Sequence, residues 1–251
     1  MLRNLQKIVG YHLGATDGIF GKVREFYFDA DHWTIRYVVA DTGGRLAPNQ
    51  VLISPFAVEE NNDSLKTLRL RLTSEQVKKS PPIGSDQPIS REFEMSYYQY
   101  YGWPMYWYGP ALWGPGPYPV VEGLWPDPLL ELETPPHTNP HLRSTAQVLH
   151  YHIHASDGDI GHVEDYILDD ESWSIRYLEV ATRNWLPGKK VLLPISWIKE
   201  ARWEDGKVYV DTTRHVIKDA PEYRPGFEVS SDYEKQLQEY CNREGHLAAH
   251  I

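Results

Sequence analysis

The sequence has a single cysteine and no long apolar run, and each shortage excludes a class of protein. Cys241 has no second cysteine to pair with, so neither a fold held by internal disulfides nor dithiol redox chemistry is expected. No segment approaches the roughly 18 apolar residues of a membrane-spanning helix, and the start of the chain has no apolar run of the signal-peptide kind. We therefore expect a cytoplasmic protein, with a peripheral position at the inner face of a membrane as the alternative.

Positive charge is scarce as well. The 25 Lys and Arg residues against 35 Asp and Glu residues give a formal net charge of −10. Because affinity for nucleic acids comes largely from neutralising phosphates, this charge argues against nucleic acid as a partner. Catalytic motifs are also missing, since we find no Gly-rich phosphate loop, no Ser/His/Asp set and no cleft of paired carboxylates. The sequence predicts neither an enzyme nor a bound cofactor.

An internal duplication organises the chain. "WTIRY" at 33–37 returns as "WSIRY" at 173–177, at an offset of 140 residues. The same offset aligns, without a gap, 11–42 with 151–182, 51–60 with 191–200, 77–82 with 217–222, and the helix-like tails 89–101 with 229–241. Such self-similarity predicts a tandem repeat of a unit of about 95 residues. We place repeat 1 with its helical tail at 1–102, an aromatic and proline-rich linker at 103–144, repeat 2 with its helical tail at 145–242, and a C-terminal tail at 243–251.

Apolar residues inside each repeat follow the period of strands. Val9, Tyr11 and Leu13 alternate with small or polar residues, as in a strand with one buried face. Gly21 and its equivalent Gly161 indicate a bulge or a close backbone approach. The predicted fold class is mainly all-β, with two small β-barrels in tandem. Each barrel is a meander of five or six strands, closed or nearly closed, that ends in a short helical tail.

The order "DG…G.V…D…W.IRY…L…VLL", followed by "SP" or "AP" just past the last strand, resembles the PRC-barrel domain. The resemblance covers residues 5–82 and 145–222, and the repeats differ most in the loops 43–50 and 183–190. This family takes its name from the cytoplasmic domain of the H subunit of photosynthetic reaction centres. A related barrel forms the C-terminal domain of ribosome maturation factors.

The resemblance brings no catalytic residue with it, so function has to be argued from sites. It implies a non-catalytic module for protein binding or assembly, docking on a membrane complex such as a photosynthetic reaction centre from the cytoplasmic side. A factor associated with the ribosome or with RNA processing is the alternative. The polar residues shared by both repeats are interpreted as scaffold: Asp17 and Asp157, Asp29 and Asp169, Arg36 and Arg176.

Three histidines of repeat 2 are candidates for a metal site. His150, His152 and His154 occupy alternate positions, so on a strand their imidazoles would project from one face, about 7 Å apart between Cα atoms. Two histidines at alternate positions of a strand can chelate Zn²⁺, Ni²⁺ or Cu²⁺. Only His152 has an equivalent, His12, in repeat 1, and no nearby cysteine completes a ligand set. Solvent-facing or pH-responsive histidines are the alternatives.

The stretch 97–128, which runs from the end of repeat 1 into the linker, is dense in tyrosine, tryptophan, proline and glycine. Nine of its aromatic residues are interface candidates: Tyr97, Tyr98, Tyr100, Tyr101, Trp103, Tyr106, Trp107, Tyr108 and Trp113. Rigid aromatic rings beside proline suit protein contacts, which predicts a protein partner or a homo-oligomer. Packing of the segment on its own barrels is the alternative. Stacking on single-stranded nucleic acid is disfavoured, because residues 97–128 contain no lysine or arginine.

Overall fold

The computed structural model describes residues 1–43, 50–83, 89–120, 141–182, 189–225 and 229–248. The loops 43–50 and 183–190, in which the repeats differ, lie mostly outside these residues. The chain forms two compact units. Unit 1 consists of Met1–Lys7, Ala146–Asp170 and Ile175–Ile251, and unit 2 consists of Ile8–Thr145 and Glu171–Ser174.

Strands dominate both units, and the predicted mainly β fold class is confirmed. The strands are β1 (Leu2–Asn4), β2 (His12–Ala15), β3 (Gly18–Asp29), β4 (Thr34–Asp41), β5 (Gln50–Ile53), β6 (Val58–Asn62), β7 (Thr67–Leu70), β8 (Leu142–Ser144), β9 (His152–Ala155), β10 (Gly158–Asp169), β11 (Ile175–Ala181), β12 (Lys190–Pro194), β13 (Ile198–Arg202), β14 (Lys207–Val210) and β15 (Glu222–Tyr223). The helices are α1 (Ser74–Lys78), α2 (Arg91–Tyr101), α3 (Thr145–Val148), α4 (Arg214–Asp219) and α5 (Ser231–Ala248). No helix in the described part of the chain is long and apolar enough to cross a membrane.

Each unit is built on one sheet. The strands of unit 2 follow the order β5-β4-β3-β2-β7-β6, and β8 also pairs with β3. The strands of unit 1 follow the order β13-β14-β9-β10-β11-β12-β15, and β1 also pairs with β10. The equivalent pairs β2 with β7 and β9 with β14 run parallel. Among the described strands no ladder joins the two ends of either path, so each sheet is an open path.

Each unit contains one short strand that is far in sequence from the rest of its sheet. In unit 1, β1 pairs with β10, with Leu2 opposite Asp169. In unit 2, β8 pairs with β3, with Leu142 opposite Asp29. The two ladders have the same register once the offset of the repeats is applied. The compact units therefore interleave along the chain, while the repeat boundaries at 102, 144 and 242 stay a prediction.

Two equivalent glycines lie where another backbone passes very close. A Cβ atom on Gly21 would lie 2.6 Å from the carbonyl oxygen of Asp41, and one on Gly161 would lie 2.1 Å from that of Ala181. Real Cβ atoms do not approach a carbonyl so closely, so only glycine fits at these positions. The close approach predicted from the sequence is confirmed in both repeats.

Helix α2 leads the chain from the sheet of unit 2 into the aromatic segment. The Ser90 side chain accepts a hydrogen bond from the Phe93 N–H and caps the first turn, which also carries Glu92. The helix ends where Gly102 adopts a left-handed conformation with φ 66°, which glycine tolerates without steric cost. This ending turns the chain back over the sheet.

Candidate functional site

The aromatic segment, residues 97–118, folds back on unit 2. Five of the nine interface candidates are buried there: Tyr97, Tyr98, Trp103, Tyr106 and Trp113. The others are half-buried or exposed: Tyr101, Trp107 and Tyr108 are half-buried, and Tyr100 is exposed. The five buried side chains are therefore core residues, as in the alternative where the segment packs on its own barrel. An interface role stays a prediction for Tyr100 and the half-buried rings.

Hydrogen bonds fix both ends of this segment. The Trp113 Nε1–H donates to the carbonyl oxygen of Ser172 at 2.7 Å. At the other end the Tyr97 hydroxyl donates to the carbonyl oxygen of Leu52 at 3.1 Å and accepts the Ser54 N–H at 2.9 Å. Buried aromatic rings whose polar atoms are satisfied add apolar contact without a desolvation penalty. The segment is therefore part of the folded unit.

Arg36 lies beneath the aromatic segment. Its side chain is 2% exposed, and Nη2 donates to Asp29 Oδ2 at 3.1 Å. The guanidinium carbon lies 3.9 Å from the centre of the Tyr106 ring and 4.9 Å from that of Trp113, in cation–π contact with both. The equivalent Arg176 is exposed. The arginine at this position of the repeat is therefore buried in unit 2, where aromatic rings pack on it, and exposed in unit 1.

Asp29 is ionised in its ion pair with Arg36. Burial alone would raise the pKa of Asp29, but the positive charge of Arg36 and the neighbouring His32 outweigh burial and lower the pKa. The His32 Nδ1 lies 3.2 Å from Asp29 Oδ2. The pair therefore stays ionised near neutral pH.

Glu94 is the centre of a buried polar network in unit 2. Its Oε1 accepts the hydroxyls of Tyr37 at 3.0 Å and Tyr106 at 2.9 Å. Its Oε2 lies 2.9 Å from Arg91 Nη1 and 3.0 Å from His141 Nε2. Burial, reinforced by the Glu94 charge, raises the pKa of both tyrosines well above the usual value. Both phenols therefore act as hydrogen-bond donors.

A cavity of about 460 Å³ opens beside this network. Its lining includes Arg36, Arg91, Tyr106, Trp107, His32 and His141. No motif or spacing in the sequence points to Arg91, Glu94 or His141. The available signal was a difference between the repeats, because Arg91 aligns with Ser231 in the second repeat.

The structure separates the three candidate metal-binding histidines. His152 and His154 lie on β9, but His150 precedes the strand in a left-handed conformation with φ 72°. The His150 ring lies 6.0 Å from the ring of His162. Strand alternation therefore applies only to the other two histidines.

His154 has a carboxylate partner. Its Nδ1 lies 2.6 Å from Asp159 Oδ1, and this hydrogen bond lowers the pKa of Asp159. Within the described ranges, no group of three or more His, Cys, Asp or Glu side chains is arranged to hold a metal ion. The metal site at 150–154 stays a prediction without a ligand set among these residues.

Unit 1 buries a different polar cluster around Asp165. The carboxylate accepts the Gln6 N–H at 3.0 Å, the Tyr166 N–H at 2.7 Å and the Asn4 Nδ2–H at 3.1 Å. The Asn4 amide also donates to Glu179 Oε2 at 3.1 Å. Burial, with a smaller contribution from the Glu179 charge, raises the pKa of Asp165 to about 6.

We expect Asp165→Asn to remove a pH dependence of stability in unit 1. The pKa of Asp165 is about 6 in the folded state against 3.8 for the free side chain. Its stabilising contribution is therefore complete below about pH 4 and lost as the pH rises through about 6. Between these limits the wild type should lose about 2 kcal/mol of unfolding free energy relative to Asp165→Asn, measured by urea denaturation. Asp159→Asn is the control, since a lowered pKa predicts the opposite slope, and a difference that does not vary with pH would contradict the assignment.

One known protein family matches part of the second repeat. Residues 153–217 match the profile of the PRC-barrel domain family. An uncharacterised protein of Deinococcus radiodurans is 37% identical to the chain over 78 residues, which cover 30% of this chain and 27% of that protein. The chain thus spans about a quarter of the length of that relative. Residues 153–217 are therefore similar to a PRC-barrel domain.

Proposed function

We propose that the chain is a non-catalytic module of two PRC-barrel domains that binds another protein through unit 2. The tandem arrangement is supported by the equivalent ladders of the two sheets. Tyr27 lies opposite Tyr37 in β3 and β4, and Ile167 lies opposite Tyr177 at the same positions of β10 and β11. A duplicated framework of this kind leaves one copy free to specialise its surface.

The observation that carries the proposal is a difference in exposed apolar side chains. Ile19 and Leu65 are 69% and 70% exposed, and the second repeat has Asp159 and Asp205 at the same positions. Apart from Met1, every large apolar side chain that is exposed in the described residues belongs to unit 2: Ile19, Leu65, Tyr100, Tyr118 and Val120. We therefore assign the protein-binding surface to unit 2, which carries these side chains.

A membrane complex is the partner class that we favour, as the family resemblance suggests. The formal net charge of −10 opposes adhesion to anionic lipid head groups. Contact with such a complex would therefore be made to its protein subunits rather than to the lipid surface. The protein would then dock on the cytoplasmic side as an assembly module.

The double variant Ile19→Asp, Leu65→Asp tests this proposal with side chains that the second repeat already has at these positions. Full-length protein is used to capture binding partners from detergent-solubilised membranes and from cleared lysate of the source cells. We expect a membrane-complex subunit to be captured by the wild type, retained by the control Asp159→Asn, Asp205→Asn, and reduced about tenfold by the double variant.

Other outcomes would overturn parts of the proposal. Equal capture by the wild type and the double variant would remove unit 2 as the binding surface. Recovery of ribosomal proteins instead would favour the alternative of a ribosome-associated or RNA-processing factor. A dimer mass in sedimentation that the double variant abolishes would identify a second copy of the chain as the partner.

A further inference from the structure

A groove of about 530 Å³ lies beside the β2–β3 ladder of unit 2, and no residue of the aromatic segment is among its described lining residues. Gly10, Lys22, Arg24 and Asp41 are part of that lining. We propose that the groove binds an acidic segment of the protein partner, whose carboxylates pair with Lys22 and Arg24. This inference rests on the protein-binding role proposed above and adds the chemistry of the partner.

Lys22 and Arg24 are exposed cations whose side chains make no ion pair or hydrogen bond with a described residue. Asp41 is the only carboxylate among the described lining residues, and its Oδ1 accepts the Gly43 N–H at 2.9 Å. Two cations against one carboxylate leave the groove positive, although the net charge of the chain is −10. Unpaired cations attract a partner that carries carboxylates and steer its approach.

The equivalent place in unit 1 is occupied by a histidine of the chain itself. Gly10 aligns with His150, and both residues adopt a left-handed conformation, with φ 87° and 72°. The His150 ring lies 6.0 Å from the ring of His162, which is the equivalent of Lys22 and is buried. A Cβ atom on Gly10 would meet no atom beyond its chain neighbours within 4 Å. The groove of unit 2 is therefore open where unit 1 carries an imidazole.

Unit 1 also supplies its own carboxylate at this place. Arg24 aligns with Glu164, whose Oε1 lies 3.2 Å from His162 Nε2 and whose Oε2 contacts Lys190. In unit 2 the positions of His162 and Glu164 carry Lys22 and Arg24, so cations are present there without a carboxylate between them. A carboxylate from outside would make with these cations the kind of ion pair that unit 1 makes internally. This comparison favours an acidic ligand.

The two most exposed apolar side chains of unit 2 lie close to the groove in the strand register. Ile19 is two ladder pairs from Lys22 on β3. Leu65 precedes Lys66, whose carbonyl oxygen accepts the N–H of the lining residue His12 at 2.9 Å. A partner segment that carries apolar side chains beside its carboxylates would therefore contact both kinds of surface.

The lining disfavours nucleic acids and small molecules as ligands. No Phe, Tyr or Trp side chain is among the described lining residues, so bases would have no such ring to stack on. Two cations are also few beside the several phosphate contacts that a nucleic-acid site needs. A small molecule would stay largely in solvent, because Gly10, Lys22 and Arg24 are all exposed. An extended segment can reach both the cations and the apolar side chains near them.

The test measures the fluorescence anisotropy of labelled probes with the full-length protein. The probes are the peptide Ser-Glu-Leu-Glu-Glu-Leu-Asp-Glu-Ser, the matched neutral peptide with glutamine and asparagine in place of glutamate and aspartate, and single-stranded oligouridylate. We expect the acidic peptide to bind at least about fivefold more tightly than the neutral peptide. Its affinity should fall as salt is added, because exposed charges are screened.

Two variants introduce the residues of the second repeat into the groove. Gly10→His places an imidazole in the open space without adding a formal charge, and Arg24→Glu reverses the charge at the position equivalent to Glu164. Each should raise the Kd of the acidic peptide about fivefold or more. Lys199→Glu is the matched control, since Lys199 is exposed in unit 1 and its substitution changes the net charge by the same amount as Arg24→Glu. This control should leave Kd within about twofold.

Circular dichroism checks that each variant is folded, and Arg24→Glu keeps the inference testable if Gly10→His does not fold. Equal binding of the acidic and neutral peptides would overturn the inference. An equal rise in Kd for Arg24→Glu and Lys199→Glu would also overturn it, because the effect would then come from the net charge alone. Tighter binding of oligouridylate would overturn the assignment of partner class.

Partner capture separates this inference from the proposed function. If the wild type, Gly10→His and Arg24→Glu capture the same membrane-complex subunit equally, the groove is excluded while the binding role of unit 2 stands. If no partner is captured but the acidic peptide binds and both groove variants weaken it, the groove stands and the proposed membrane-complex partner falls.

Discussion

Glu94→Ala is expected to lower the unfolding free energy of unit 2 by about 3–5 kcal/mol. The substitution leaves the buried guanidinium of Arg91 without its carboxylate and removes the acceptor of the Tyr37 and Tyr106 hydroxyls. Uncompensated buried charge is among the most destabilising changes in a protein, since the remaining group has lost both water and partner. Urea denaturation followed by amide hydrogen exchange localises the loss to unit 2.

The second repeat supplies the matched control. Glu234 is the equivalent of Glu94, but it is half-buried and accepts the Tyr177 hydroxyl at 3.4 Å. Because solvent can replace that interaction, Glu234→Ala should cost less than about 1 kcal/mol. An equal decrease in unfolding free energy for the two substitutions would show that burial of the network does not determine how much it stabilises the unit.

Trp113→Ala is the second substitution with a large expected effect, about 3–5 kcal/mol on unit 2. The indole is fully buried, packs edge-on against Phe56 at 5.3 Å between ring centroids and covers Arg36. Its removal leaves a cavity in the core and removes the indole N–H that donates to the Ser172 carbonyl oxygen. The thermal midpoint and the urea midpoint of the same unit should both fall.

Tyr118→Ala is the control within the same segment. Tyr118 is 45% exposed, so its truncation should change the unfolding free energy by no more than about 0.5 kcal/mol. If both substitutions were mild, the aromatic segment would be a detachable linker. If Trp113→Ala alone is severe, the segment is part of the core of unit 2.

The strand framework followed from the sequence because its causes are local. Alternating apolar residues predict half-buried strands, and a repeated pattern predicts the same strands twice. The close approach at Gly21 and Gly161 was predictable for the same reason, since an isolated glycine inside a strand pattern marks such a contact. These predictions depend on short stretches of sequence and on their repetition, and they do not require knowledge of which distant residues are in contact.

The candidate pocket could not be predicted in this way. Arg91, Glu94 and His141 come from a helix and from the segment before β8, and only packing brings them together around Tyr106. The alternating pattern of the three histidines is interrupted for a local reason. His150 interrupts the strand period by its left-handed conformation, which spacing alone does not reveal.

The sequence by itself determined the mainly β fold class, the net negative charge and the internal self-similarity at an offset of 140 residues, because periodicity and composition are readable without contacts. Tertiary structure alone decided what the duplicated residues do. Arg36 and Arg176 stand in the same motif, yet one is buried under aromatic rings and the other is exposed. The pairing of β1 with β10 and of β8 with β3 was likewise decided by the tertiary structure. Both outcomes depend on contacts between segments that are far apart in sequence. Such contacts form, and stabilise the protein, only in the folded chain.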